Sequence, residues 1–552
     1  MVAACDRGDL EERSTRQGAD IPACSPGFGV AGEQELRFPH LEGMLARFAW
    51  ENNPGTWAIA ASFDGQMLRK EGTVTEASRA ESGSGARLDR RGFLGLLSVA
   101  AGGAVLGACS SGSSGSSGST SSPAAAFPIG AAAKASSKPT TVTMWHSMSY
   151  NNQTTLQKLT GAFNASQGDV HVNLVNQNSY TDTLTLFTAA LSSGGLPDLL
   201  QMETVDLQLM IDSRSVVPAQ AAIDAAHYDL SDFLPSTINF FKVQGTQWAM
   251  PFNISSNVLY FDQNALTKAG LDPANPPATL AELKAACQKI VSSGTAKYGM
   301  SLKLDSAYFE QWLTLADALI VNEENGRSGR ATKVVFDGAV GTSLFEWYAD
   351  MLDSKLAQPT SATTYDNLLG IANGIAPICL ETSAALGTIQ TLLSGGQYAN
   401  IKLGVAQTPS TTSDRNGVFP GGAGLYMVSK SSPAQQDGAW QYITYLDQPA
   451  QQAQWAVGTG YIPIRKSATA LPAITQLWAG QPEFEVSYRQ LAESPQNPAT
   501  AGAVYGPQSQ VEQAIDSALT SISTGTSTTS AMSHLTSTAN GIISSYNTRI
   551  GA

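Results

Sequence analysis

Strand-like and helix-like runs alternate along residues 140–550, and that order restricts the fold more than any other feature. Residues 141–145 read as a strand. A helical stripe of Leu156, Leu159 and Phe163 follows over 153–164, then an alternating strand over 170–175 and a second helix over 180–191. The turn Leu196-Pro197-Asp198 leads into a short apolar strand. Parallel strands need crossovers long enough to hold a helix, so this βαβαβ order predicts an α/β fold with a parallel sheet. The chain then runs extended over 248–260, broken by Pro251, and helical patterns follow at 265–269, 280–292, 309–319 and 341–353. Further extended passes come at 375–380 and 421–428. Three such passes between α/β blocks predict two lobes joined by several strands, with a crevice between them for a ligand. The expected allocation is 140–256 and 375–421 to lobe 1, and 257–374 and 422–508 to lobe 2. C-terminal helices follow over 509–552, where Met532, Leu535, Ala539, Ile542 and Tyr546 keep a helical stripe.

Charged side chains make up 14% of the chain, against about 25% in typical soluble domains. The surface must therefore rely on Ser, Thr, Asn and Gln. A formal net charge of −13 leaves no electrostatic basis for nucleic-acid binding, which needs clustered Lys and Arg. No apolar run reaches the roughly 20 residues that a spanning helix requires.

Residues 89–95 read Asp-Arg-Arg-Gly-Phe-Leu-Gly, and an uncharged apolar stretch over 93–108 ends in Leu106-Gly107-Ala108-Cys109. Paired arginines, a modest apolar region and small residues before a cysteine resemble a twin-arginine export signal closed by a lipoprotein lipobox. That resemblance implies a lipid on Cys109 and anchoring to the outer face of the cytoplasmic membrane, at the cell surface or in the periplasm. Residues 87–109 are thus expected to be the signal. The Ser/Gly/Ala-rich stretch 110–139 reads as a flexible linker, whose roughly 30 residues reach about 30 Å. The 88 residues before Asp89 show no sustained period, and 1–86 are expected to be a non-native or disordered extension, with Met67 a candidate true start. Cys287 and Cys379 are expected as buried free thiols.

No enzyme chemistry stands out. Beyond the signal the histidines are His146, His171, His227 and His534, without metal-ligand spacing, and neither a nucleophile elbow nor a P-loop occurs. Glu203, Glu310, Glu323 and Glu381 are carboxylates that a secreted glycan hydrolase would need in pairs, but nothing in their spacing selects a pair. No cofactor or metal is expected.

Four motifs carry a family likeness: Trp145-His146-Ser147-Met148, the run from Pro251 to Ile290 (PFNISSNVLYFDQNALTKAGLDPANPPATLAELKAACQKI), Gly421-Gly422-Ala423, and GTGYIPIR at 458–465. Over about residues 140–550 the chain resembles the extracellular solute-binding proteins of ABC importers, carbohydrate-binding family 1. The likeness is nearest to the glycerol-3-phosphate and glycerophosphodiester-binding branch. It implies a two-lobed, type 2 periplasmic-binding-protein-like fold, capture of a sugar or polyol by lobe closure, delivery to membrane permease subunits, and a monomer. It also implies ligand-binding roles for Tyr180, Glu203 (Thr204 by ungapped alignment), Ser255, Ser383 (or Thr382), Gly422 and Tyr461. One departure bears on the ligand. The phosphate-reading branch has an arginine in the run matching 502–506, whereas here no Lys or Arg lies between Arg489 and Arg549. A buried phosphate needs a compensating cation or a fork of donors, so a neutral sugar or polyol is favoured over a glycerol phosphate. Trp145, Trp248, Tyr308 and Trp312 are candidate stacking surfaces for a sugar ring.

Overall fold

The computed structural model describes the backbone of four strands between residues 32 and 73, and residues 126–135, 138–394, 398 and 400–552. The expected export signal with Cys109 and the expected linker up to residue 125 lie outside the described residues. The chain divides into two units, Met1–Gly118 and Ser119–Ala552. In the first, the expected disordered extension over 1–86 contains an antiparallel meander of Gly32–Arg37, Leu45–Trp50, Thr56–Phe63 and Gln66–Thr73, paired in that order. Trp57, Ile59, Ala61 and Phe63 recur at every second position, a strand period over a single short run.

The second unit holds two sheets. In lobe 1, Thr140–His146 pairs in parallel with Val170–Asn176 and Leu199–Glu203, and Gly421–Val428 runs antiparallel between Leu199–Glu203 and Met250–Ser255. In lobe 2, Met300–Leu304 lies in parallel between Ala357–Ser361 and Ile378–Thr382, while Asn257–Asp262 runs antiparallel to Ile378–Thr382 and Leu403–Gln407. Every residue of Met250–Ser255 and of Met300–Leu304 is buried, the pattern of strands covered on both faces. Helices Tyr150–Ser166 and Pro433–Leu446 pack on the first lobe. Ser306–Leu315, Ala339–Asp353 and the C-terminal pair Gln508–Ser523 and Thr528–Ile550 pack together on the second. The C-terminal stripe buries Met532, Leu535, Ala539 and Tyr546, but its fourth apolar position is Ile543; Ile542 is only partly buried. Cys287 and Cys379 are buried free thiols.

The lobe boundaries differ from expectation. Ile378–Thr382 pairs with Asn257–Asp262 in lobe 2, and Gly421–Val428 pairs with Leu199–Glu203 in lobe 1. The expected assignments of 375–421 and 422–508 are therefore exchanged over these strands. Both segments are short apolar runs, and such a run encodes burial without encoding its pairing partner. The crossings lie at Ser256, between 408 and 420, and between 466 and 482.

Part of the expected linker also has structure. Ala131–Ala135 is a short helix, and Phe127 and Ala132 are buried against lobe 1. The buried carboxylate of Asp437, on helix Pro433–Leu446, accepts the Gly130 N–H at 3.0 Å and the Ala132 N–H at 2.9 Å. This docks the end of the linker at one point on the lobe. Asp437→Ala leaves both donors unpaired and should cost about 1–3 kcal/mol. We expect amide exchange over 130–135 to accelerate well beyond that of the lobe 1 sheet, and unchanged protection there would contradict the docking.

Candidate functional site

The parallel strands of both sheets end at one crevice, where ligands sit in open α/β sheets. Thr140–His146 delivers Ser147, Met148 and Tyr150. Val170–Asn176 leads to Tyr180, and Leu199–Glu203 ends in Glu203. From lobe 2, Met300–Leu304 leads to Asp305, Ala357–Ser361 to Tyr365, and Ile378–Thr382 to Thr382. Together with Ser255, Ser256, Asn257 and residues of the Gly421 segment they line a cavity of about 690 Å³ between the lobes.

Its lobe 1 wall is a hydrogen-bonded network. The Gln201 amide oxygen accepts the Ser147 N–H at 2.8 Å, and its nitrogen donates to Asn253 Oδ1 at 2.6 Å. Asn253 Nδ2 then donates to Tyr180 Oη at 2.8 Å. Gln201 and Asn253 are fully buried, so each amide fixes the next. Tyr461 stacks on Trp455 with ring centroids 5.5 Å apart, and Trp455 stacks on Phe252 at 4.9 Å. Burial pushes the Tyr461 phenol up to about 12 and Tyr180 well above its ordinary value; both are neutral donors at physiological pH. Gly422 has φ +104, and a Cβ there would collide with the Asn253 carbonyl. Only glycine brings the backbone this close to the network. His146 Nδ1 accepts the Met148 N–H at 3.2 Å, and burial lowers its pKa to about 4, so it serves the turn as a neutral ring.

Carboxylates dominate the rest. Glu203, Asp305, Glu310 and Glu512 line the cavity, and among the described residues no Lys, Arg or His lines it. Desolvation, then the neighbouring Asp206 and Asp305, push Glu203 up to about 8. Desolvation raises Asp206 to about 7. Desolvation, then Asp516 and Asp305, raises Glu310, and desolvation, then Glu310 and Glu203, raises Glu512. Lys303 lies behind this wall, 3.1 Å from Glu381 and 3.6 Å from Asp305. At the mouth, Tyr150 and Tyr365 are the most exposed of the large apolar side chains among the described residues, at 79% and 61%. Tyr150 holds φ +48, a left-handed conformation that is strained for an aromatic residue.

The chain matches the family model of bacterial extracellular solute-binding proteins over residues 158–483, more than half its length. It belongs to that family. Relatives include the sn-glycerol-3-phosphate-binding periplasmic protein UgpB of Yersinia pseudotuberculosis, 27% identical over 397 residues, which cover 70% of this chain and 89% of that one. UgpB of Escherichia coli O1:K1 is 26% identical over 422 residues, covering 73% and 93%. Among solved structures, the GacH receptor of Streptomyces glaucescens, crystallised unliganded and with acarbose, is 22% identical with TM-score 0.61 over 73% of this chain and 98% of its own. UgpB from Mycobacterium tuberculosis in complex with glycerophosphocholine is 19% identical with TM-score 0.62 over 74% and 100%. These structures share the two-lobed fold expected from the sequence.

Of the residues expected at the site, Tyr180, Glu203, Ser255, Gly422 and Tyr461 line the cavity, as do the alternatives Thr204 and Thr382. Ser383 does not. Its N–H donates to the Ser256 carbonyl at 2.9 Å and its hydroxyl accepts the Ser256 N–H at 3.5 Å, which places it in the hinge. The candidate stacking residues are core. Trp312 Nε1 donates to the Pro409 carbonyl at 3.0 Å, Tyr308 Oη to the Leu380 carbonyl at 2.7 Å, and Trp145 and Trp248 pack against the main core. Of the four candidate hydrolase carboxylates, Glu203 and Glu310 line the cavity, and Glu323 and Glu381 do not. Sequence reasoning missed Tyr150, Asp305 and Tyr365, which follow strand ends by one to four residues; position after a parallel strand was the usable signal.

A carboxyl with a pKa raised on folding adds stability at low pH and loses it as pH rises from the unfolded value to the folded one. Glu203 and Asp206 span that interval from their ordinary 4.5 and 3.8 to about 8 and 7. His146 acts in the opposite sense, but only below its ordinary 6.5. The ligand-free protein should therefore melt at a higher temperature at pH 6.5 than at pH 8. Calorimetry showing a flat or opposite trend across that interval would contradict the burial of these acids.

Proposed function

We propose that this protein is the substrate-binding component of an ABC importer, capturing a sugar or related polyol that carries no phosphate. Lobe closure around the ligand presents it to permease subunits in the membrane. The observation that carries this reading is the inter-lobe cavity itself. Hydroxyl, amide, phenol and carboxyl groups from both lobes line it, and among the described residues no cation does. Ligand contacts with both lobes favour the closed form by their differential affinity. The family membership and the sugar-class ligands of several fold neighbours support the same reading.

Glycerol 3-phosphate is the alternative that the names of the curated relatives suggest. Three cations near the lobes already have partners. Arg327 donates to the Gly502 carbonyl at 2.9 Å and the Phe240 carbonyl at 2.7 Å. Arg465 is paired with Asp232 at 2.9 Å and stacked on Phe233, and Lys303 is held by Glu381 and Asp305. A phosphate in the cavity would be desolvated against carboxylates, at a cost of several kcal/mol. In calorimetry, members of a panel of mono-, di- and trisaccharides should bind, with glycerol 3-phosphate at least about tenfold weaker. Tight glycerol 3-phosphate binding that weakens with salt would overturn the phosphate-free reading.

The reading includes export and a lipid on Cys109, which would tether the lobes near the permease. It is supported by Arg90-Arg91 and by the small residues before the cysteine. Cys109→Ala should move the protein from the membrane to the soluble fraction in its host. Membrane association that survives the substitution would remove the anchor from the proposal.

A further inference from the structure

The acids that line the cavity suggest what the ligand brings. We propose that the captured sugar or polyol carries a protonated amine, seated against Glu310; this rests on the reading above that a polyhydroxylated ligand occupies the cleft. Glu203 comes from lobe 1, Asp305 and Glu310 from lobe 2, and Glu512 from the C-terminal helix, yet all face one cavity. The nearby ammonium of Lys303 is already shared between Glu381 and Asp305.

A second observation is independent of this grouping. Glu310 and Gln311 are each 2% exposed and line the cavity, and Glu310 Oε1 and Gln311 Nε2 are buried without a hydrogen-bond partner. A buried carboxylate oxygen with no donor is costly, and the cost falls when a donor arrives with the ligand. Hydroxyls supply donors without charge. An ammonium supplies three donors and a positive charge, which favours the ionised form of Glu310 that desolvation and the neighbouring Asp516 and Asp305 disfavour in the empty cavity. Among the described residues no group of three or more acids, histidines or cysteines converges closely enough to hold a metal ion. Tyr150 at the mouth adds an aromatic face, which attracts cations; the Tyr365 ring already has Lys303 Nζ 5.5 Å from its centroid.

The test is calorimetry on the full chain with matched probes: glucose against glucosamine and N-acetylglucosamine, and cellobiose against the glucosamine disaccharide and its diacetylated form. The expected result is that a free-amine probe binds at least about tenfold more tightly than both its neutral counterparts, and that Glu310→Gln removes most of that preference. Equal or tighter binding of the neutral or acetylated probe overturns the inference while leaving the sugar reading intact. So does a preference that survives in Glu310→Gln. If that variant does not fold, the acetylation comparison on the unaltered protein decides alone. Failure of every saccharide in both panels to bind would overturn the sugar reading and this inference with it.

Discussion

Ser256 is the single residue between a strand of one sheet and a strand of the other, and the cleft depends on how it is held. Its hydroxyl meets Ser487 Oγ at 2.8 Å and accepts from Gln490 Nε2 at 2.6 Å, and its carbonyl accepts the Ser383 N–H at 2.9 Å. Gln490 also donates to the Asn257 carbonyl at 2.6 Å. Three chain segments distant in sequence thus meet at one buried serine. Two belong to crossings between the lobes: the first crossing itself, and the helix Glu483–Ala492 that follows the third. Directional bonds between small polar groups fix this junction without an apolar plug. Hinge motions elsewhere are absorbed by a few such residues at element ends.

From that junction the two sheets diverge with the carboxyl ends of their parallel strands facing each other. This explains why the cavity is polar although its walls rise from apolar strands. The central strands Leu199–Glu203, Met300–Leu304 and Ile378–Thr382 are buried over nearly all their length and end where the next residues can turn outward. The lobe 1 wall is preorganised by the chain from Ser147 through Gln201 and Asn253 to Tyr180. Lobe 2 and the C-terminal helix add Asp305, Glu310 and Glu512 to the Glu203 of lobe 1. Pre-set amides and phenols give directionality, and desolvated carboxyls give a strong demand for donors.

Proteins named for glycerol 3-phosphate match this chain over most of their length, yet the run at 501–506 contributes no basic side chain. Arg327 instead donates to the carbonyls of Ala501 and Gly502. A guanidinium committed to backbone carbonyls and lying over the Phe240 ring stabilises that loop; it is not among the groups lining the cleft.

The sequence alone determined a good deal. The period of 2 or 3.6 identified the strands and helices, because it records which face is buried. The motifs around Ser255, Gly422 and Tyr461 located one wall of the cleft, because tight backbone approach and fixed phenols need those residue types at those places. The run between Arg489 and Arg549 holds no Lys or Arg, so the arginine that the resemblance to the phosphate-reading branch implies there is missing from the sequence itself. Only the tertiary structure decided which sheet each extended run joined, so that Ile378–Thr382 and Gly421–Val428 exchanged lobes relative to expectation. It also separated Thr382, in the cavity wall, from Ser383, in the hinge, and drew Glu203, Asp305, Glu310 and Glu512 into one space. The physical reason is common to all three. Local periodicity reports burial, whereas strand partnership and the convergence of charges depend on residues far apart in the chain, which the fold alone brings together.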